Sequence, residues 1–216
     1  MQLNKQKGFT LVEIAIVLVI VGLLIGGVLK GQEMITNAKL KRVESDNAGI
    51  AAAMFSYQDR YLQLPGDDDS ASTRFTIFAG PPVVAGIDGD SDGSIAGGWI
   101  GDSAAAAPDQ ETGNFWRHLR AAGLIPGGGL DDTQPTNAYG GNIGLRDGSM
   151  DLAGHVTVFG SIEGPIAKII EARLDDGDPT TGRVQSTSTV AEIDAFATST
   201  DAAYVDDDRY FMAFRL

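Results

Sequence analysis

In "IDGDSDGSI", residues 87 to 95, Asp88, Asp90 and Asp92 alternate with small residues and lead into Gly93. Alternate carboxylates on a turning chain bring their oxygens toward one point, and D-x-D-x-D-G is the spacing of a calcium loop. Calcium is therefore the one cofactor the sequence suggests. The match is incomplete, because Trp99 stands where a helix–loop–helix calcium site carries its bidentate Glu. Asp102 or a backbone carbonyl is left to complete the shell. A solvated turn is the competing reading in so Asp-rich a chain. The clusters Asp67 to Asp69 and Asp206 to Asp208, and "LDDGDPTTG" at 174 to 182, also read as solvated turns. His118 falls on a short helix beside Trp116, and His155 opens a strand with no nucleophile beside it. The chain has no Cys, which removes thiolate nucleophiles, thiolate metal sites and disulfides. No catalytic residue is assigned, and the chain reads as a non-enzyme.

A different acid raises a different question. Glu13 lies near the head of "KGFTLVEIAIVLVIVGLLIGG", residues 7 to 27, an otherwise apolar run. A carboxylate in hydrocarbon costs about 2.5–3.5 kcal/mol on insertion scales, so it needs a cationic partner there. From Phe9 to Leu29 the run is long enough, at about 1.5 Å per residue, to cross a bilayer core. The apolar stretch exceeds the h-region of a secretory signal, and no small-x-small cleavage site follows it.

The elements that must position these groups follow from periodicity. Past Lys30 the chain turns amphipathic, with Val43, Ile50 and Tyr57 on one stripe beside Asn47, Met54 and Tyr61. No Pro precedes Pro65, where "LPGDDD" supplies a stop, so one helix is expected from about Phe9 to Leu62. Downstream, "ETGNFWRHLRAAGLIPGGG" and "GPIAKIIEARLDDG" predict short helices. "HVTVFGS" (155 to 161) and "RYFMAFRL" (209 to 216) predict strands, with weaker strand signals around Ile77 and Ile143. This is an α+β chain: one long N-terminal helix, transmembrane in its first half, packed against a small antiparallel sheet with short extra helices.

Lys7, Gly8, Phe9, Thr10, Leu11, Val12 and Glu13, followed by the apolar run, resemble the class III leader junction of type IV pilins and type II secretion pseudopilins. The resemblance implies cleavage between Gly8 and Phe9 by a prepilin peptidase and N-methylation of Phe9. It also implies that Glu13 meets the Phe9 amine of a neighbouring subunit and sets the register of assembly. The implied partners are the peptidase, other pilin or pseudopilin subunits, and an inner-membrane assembly platform. The implied location is the bacterial inner membrane, single-pass, with the globular domain in the periplasm, and later a surface filament or periplasmic pseudopilus. The expected organisation is a leader at 1–8, an assembly helix at 9–31, its amphipathic continuation at 32–64 and an acidic α+β domain at 65–216. Major pseudopilins order a C-terminal loop with calcium, which adds weight to the Asp88, Asp90, Asp92 reading.

The net charge is −13 and the pI about 4.4, a poor balance for binding nucleic acid, which needs Lys and Arg against phosphates. The competing class is a membrane-anchored periplasmic binding protein or enzyme that uses the helix only as a tether. Many relatives carry a Pro about 21 residues after the junction, where this chain has Lys30. That difference and the large downstream domain point toward a minor or atypical subunit of either system.

Overall fold

A computed structural model describes residues 9–78, 86–99, 111–194, 199–201 and 203–216. Gly8 and Asp102 lie outside the described residues. The chain divides into two compact units, 1–41 and 42–216.

The first unit is helical from Leu11 onward, as the opening part of α1 (Leu11–Tyr61). It contains an apolar stretch long enough to cross a membrane, none of it buried within the chain. Leu11 is 90% exposed and Leu23 73%, values that in water would oppose folding and that lipid or sister helices relieve.

The second unit begins with the rest of α1. The apolar stripe is the reason it packs: Val43, Ile50, Met54 and Tyr57 are all buried, and Asn47 accepts a 2.5 Å hydrogen bond from the Thr157 hydroxyl of the sheet. Leu62, at φ 58°, ends the helix three residues ahead of Pro65. Then come α2 (Ala71–Arg74), a 3₁₀ turn (Thr76–Phe78), α3 (Glu111–Ala121), β1 (Ile143–Ser149), β2 (Leu152–Glu163), α4 (Gly164–Leu174), β3 (Val184–Thr187), α5 (Val190–Asp194) and β4 (Arg209–Arg215). The strand expected around Ile77 is a 3₁₀ turn instead. Phe78 is drawn into a small cluster with Ala71 and Ile87 there, and this packing outweighs the β-propensity of "FTIF".

The sheet has the order β1-β2-β4-β3, and every pairing is antiparallel. Both faces of its centre are covered. Thr157 meets α1 on one side, while Val156 and Val158 join Trp99, Met150, Leu152, Ile193 and Ala213 on the other. That explains the unbroken burial from Val156 to Gly160, where a half-exposed strand would alternate. The sequence signals missed β3, whose "VQST" carries little apolar character, as well as the short helices α2 and α5.

Candidate functional site

Two sites emerge, one in each unit. In the first, Thr10 and Glu13 form a capping box at the start of α1. The Thr10 backbone N–H and hydroxyl each donate to Glu13 Oε2 at 2.9 Å, and the Glu13 N–H donates to Thr10 Oγ1 at 3.2 Å. Two backbone donors that the helix leaves without partners are thereby satisfied. The T-x-x-E spacing is a helix-start signal that the reading of Glu13 as a buried charge passed over. Phe9, just ahead of the box, is 83% exposed.

The second site is built where α1 ends. Gly66, at φ 96°, turns the chain so closely over the Glu111 carbonyl that a side chain at 66 would collide with it. Its N–H donates to His118 Nδ1 at 2.9 Å, so the ring proton sits on Nε2, 2.9 Å from the Ile87 carbonyl. His118 is fully buried, and burial pushes its pKa down to about 4: it is a neutral strut joining the 66 turn, α3 and the 87 loop.

The acids at 67 and 68, expected to be solvated, are buried. Asp68 accepts from the Tyr57 hydroxyl (2.6 Å), Ser70 N (2.9 Å), and both Arg74 Nε (3.1 Å) and Nη2 (3.0 Å). Burial works against its charge, yet these donors outweigh it and hold the carboxyl below its ordinary range. Asp67 has no cationic side chain against it among the described residues. Its two oxygens take the N–H groups of Asp92 (3.1 Å) and Gly93 (2.9 Å), while its carbonyl takes Ser91 N at 3.1 Å. Burial raises its pKa despite these bonds. Gly89 passes so close to the Asp67 backbone that no side chain fits there.

Glu111 opens α3 and reaches the same loop from the other side. It accepts from Asp90 N at 3.2 Å and Ala96 N at 2.8 Å. Burial, with Asp67 and Asp90 adding repulsion, lifts its pKa to about 7. One oxygen from each of Asp67, Asp90, Asp92 and Glu111 lies within 4.8 Å of the others. These are hard oxygen donors from three segments, the set that calcium takes. Asp90 and Asp92 thus come together as the spacing suggested. Asp88 faces elsewhere, accepting from Ser72 N (2.7 Å) and the Ser72 hydroxyl (2.6 Å). Asp67 and Glu111 were missed because each lies more than 20 positions from Asp90, and only the fold joins them.

A second acid group lies at the end of α4. Glu171 is fully buried, burial lifts its pKa to about 8, and it accepts from the Tyr204 hydroxyl at 3.2 Å beside Asp175 and Asp176.

The leader and the capped apolar helix also have a counterpart among known families. Residues 3–29 match the prokaryotic N-terminal methylation motif. The chain carries the class III prepilin leader of type IV pilins and pseudopilins. No curated protein matches the chain. Such a motif implies processing by a prepilin peptidase and assembly with other pilin subunits in general. The long apolar helix and the antiparallel sheet with short helices agree with a pilin-like α+β fold.

Proposed function

We propose that this pilin-like chain is a minor subunit of a type IV pilus or a type II secretion pseudopilus. It is cut between Gly8 and Phe9, methylated on Phe9, and held in the inner membrane with residues beyond the span in the periplasm. It then enters a filament through its N-terminal helix. The observation that carries this reading is the capped, wholly exposed apolar helix directly behind the leader motif. A simple tether gains nothing from a carboxylate at its head. A subunit in a helical bundle does, because Glu13 can receive the charged Phe9 amine of a neighbour. Its Oε2 is engaged with Thr10, and its Oε1 accepts nothing from the described residues, so cap and intersubunit contact are compatible.

The acidic pocket belongs to the same reading. A calcium ion held by Asp67, Asp90, Asp92 and Glu111 would tie the end of α1, the 86–96 loop and α3 into one piece.

Mass spectrometry of the chain purified from membranes tests the processing. The expected product begins at N-methylated Phe9. A chain that retains Gly8 in cells with an active prepilin peptidase would sink the proposal.

A further inference from the structure

Helix α4 ends in acids, at the end of a helix that disfavours them. Glu171 lies in its last turn, Asp175 caps it four residues on, and Asp176 follows. Carbonyl groups at a helix C-terminus carry partial negative charge, and like charges four residues apart on one face repel. Glu171 is the decisive member, because its side chain is fully buried. Its Oε2 accepts from the Tyr204 hydroxyl at 3.2 Å, but its Oε1 is buried and accepts nothing from the described residues. One Glu171 oxygen lies within 4.8 Å of an oxygen of Asp175 and of one of Asp176, so the carboxylate looks into the acid group. A buried carboxylate with a bare oxygen beside two more acids is costly until a cation pairs with it.

Among the described residues no side chain supplies that cation. Arg173, the basic residue of the last turn, pairs with Glu44 at 3.2 Å. Arg183 reaches Asp175 Oδ2 with its backbone N–H, and the same oxygen takes Val184 N at 2.8 Å. Lys168, one turn before Glu171, is exposed and forms no ion pair among the described residues. Asp176 is held by Asp178 N at 3.0 Å and the Thr181 hydroxyl at 2.6 Å, bonds that leave its negative charge uncompensated. The ligand atoms on offer are all carboxylate oxygens, without imidazole or thiolate, a set that suits hard divalent cations over zinc or copper. Three acids fill three of about six positions around such an ion, and the exposed side of Asp176 leaves the others to water.

We infer that Glu171, Asp175 and Asp176 hold a hard divalent cation, magnesium or calcium, which ties the end of α4 to the loop leading into β3. The site is independent of the filament reading and of the pocket at Glu111. With three acids against four, and only Glu171 fully buried, it holds calcium more weakly than that pocket does.

Manganese is the probe, a hard divalent ion whose paramagnetic resonance signal is lost on binding. The full-length chain in detergent, stripped of metal with chelator, is titrated as unmodified chain and as E171Q, D176N, E111Q and E111Q/D176N. D176N changes an exposed side chain and serves if E171Q fails to fold. E111Q should keep one manganese that E111Q/D176N binds at least tenfold more weakly, and magnesium or calcium at millimolar concentration should displace it. E171Q and D176N should each lose the same equivalent from the unmodified chain. Hydrogen exchange read by mass spectrometry places the ion: in E111Q, magnesium or calcium should slow exchange over residues 175–184 at least threefold relative to chelator, and in E111Q/D176N it should not. Equal binding by the unmodified chain, E171Q and D176N overturns the site and leaves Glu171 balanced by a proton. Manganese that neither magnesium nor calcium displaces overturns it also. An equivalent that D176N removes while E111Q binds as much as the unmodified chain upholds this site and discards the Glu111 pocket instead.

Discussion

Glu13 and Glu111 are both carboxylates that receive backbone N–H groups, yet they sit in opposite surroundings. Glu13 stands at the head of an exposed apolar helix and, among the described residues, is bonded to Thr10 three residues away. Glu111 is 2% exposed, bonded to residues 15 and 21 positions distant, and crowded by two other acids. The first has its local partner in the chain and its functional partner outside it. The second has every contact inside the fold, and its charge is what remains to be balanced. In the first unit a short motif is nearly the whole story; in the second, chemistry depends on the tertiary structure.

The sharpest way to break this contrast is at position 13. E13A should leave cleavage at Gly8–Phe9 intact while lowering incorporation into filaments at least tenfold, measured as sheared or pelleted material against total chain. Normal assembly of E13A would reduce Glu13 to a cap and return the chain to the tether reading. The equivalent change in the second unit should behave in the reverse way. W116A removes a fully buried ring and should cost about 3–5 kcal/mol of unfolding free energy in detergent-solubilised chain. Processing at the leader, remote in sequence from α3, should be unaffected.

Calcium probes what Glu111 lacks. Added calcium should raise the melting temperature over that in chelator. E111Q should abolish most of the calcium shift, because it removes one of the four acids, and its amide nitrogen cannot accept the Asp90 or Ala96 N–H that a Glu111 oxygen takes. Equal melting with and without calcium would leave the four acids as a self-bonded turn. The pH response has a definite sign. The folded pKa values of Glu111, about 7, and Glu171, about 8, exceed the ordinary value of 4.5, so the folded chain binds more protons and loses stability as pH rises through this range. His118 acts oppositely: its folded pKa of about 4 lies below 6.5, so it adds stability as pH rises from 4 to 6.5. The two trends offset one another below about 6.5. A decline in melting temperature between pH 6.5 and 8 in chelator is the expected result, smaller in E171Q. A rise over that interval would contradict the burial of both glutamates.

What the sequence made legible follows the same division. The leader, the helix from the apolar run through the Val43–Ile50–Tyr57 stripe, α3, α4 and the two main strands were readable, because each rests on a local period or a local stop signal. The acidic site was half readable. Asp90 and Asp92 share a loop, but Asp67 looked like one of several exposed aspartates, and Glu111 like a first-turn helix residue. What buries them is Gly66 and Gly89 letting two backbones touch and His118 bridging them, contacts 22 to 52 positions apart that no local pattern encodes. Asp88 shows the converse: it has the right spacing for the loop, yet Ser72 claims its carboxylate.

The smallest effect separates the two jobs of Glu13. T10A removes the hydroxyl that both donates to and accepts from the Glu13 unit, while leaving its charge in place. Loss of an N-cap costs about 0.5–2 kcal/mol of helix stability, commonly near 1. In lipid, where the rest of the helix is held by apolar burial, that cost should appear only as fraying of the first turn. Faster amide exchange at Leu11 to Glu13 in detergent micelles is the expected signature, with assembly reduced no more than about threefold. E13Q should do the opposite, since a neutral side chain can still accept from Thr10 but cannot neutralise an ammonium group. Its first turn should stay protected while assembly falls nearly as far as in E13A. If T10A and E13Q were instead to fail equally in assembly, the cap itself would be what the filament requires, and the charge of Glu13 would have no separate part in setting register.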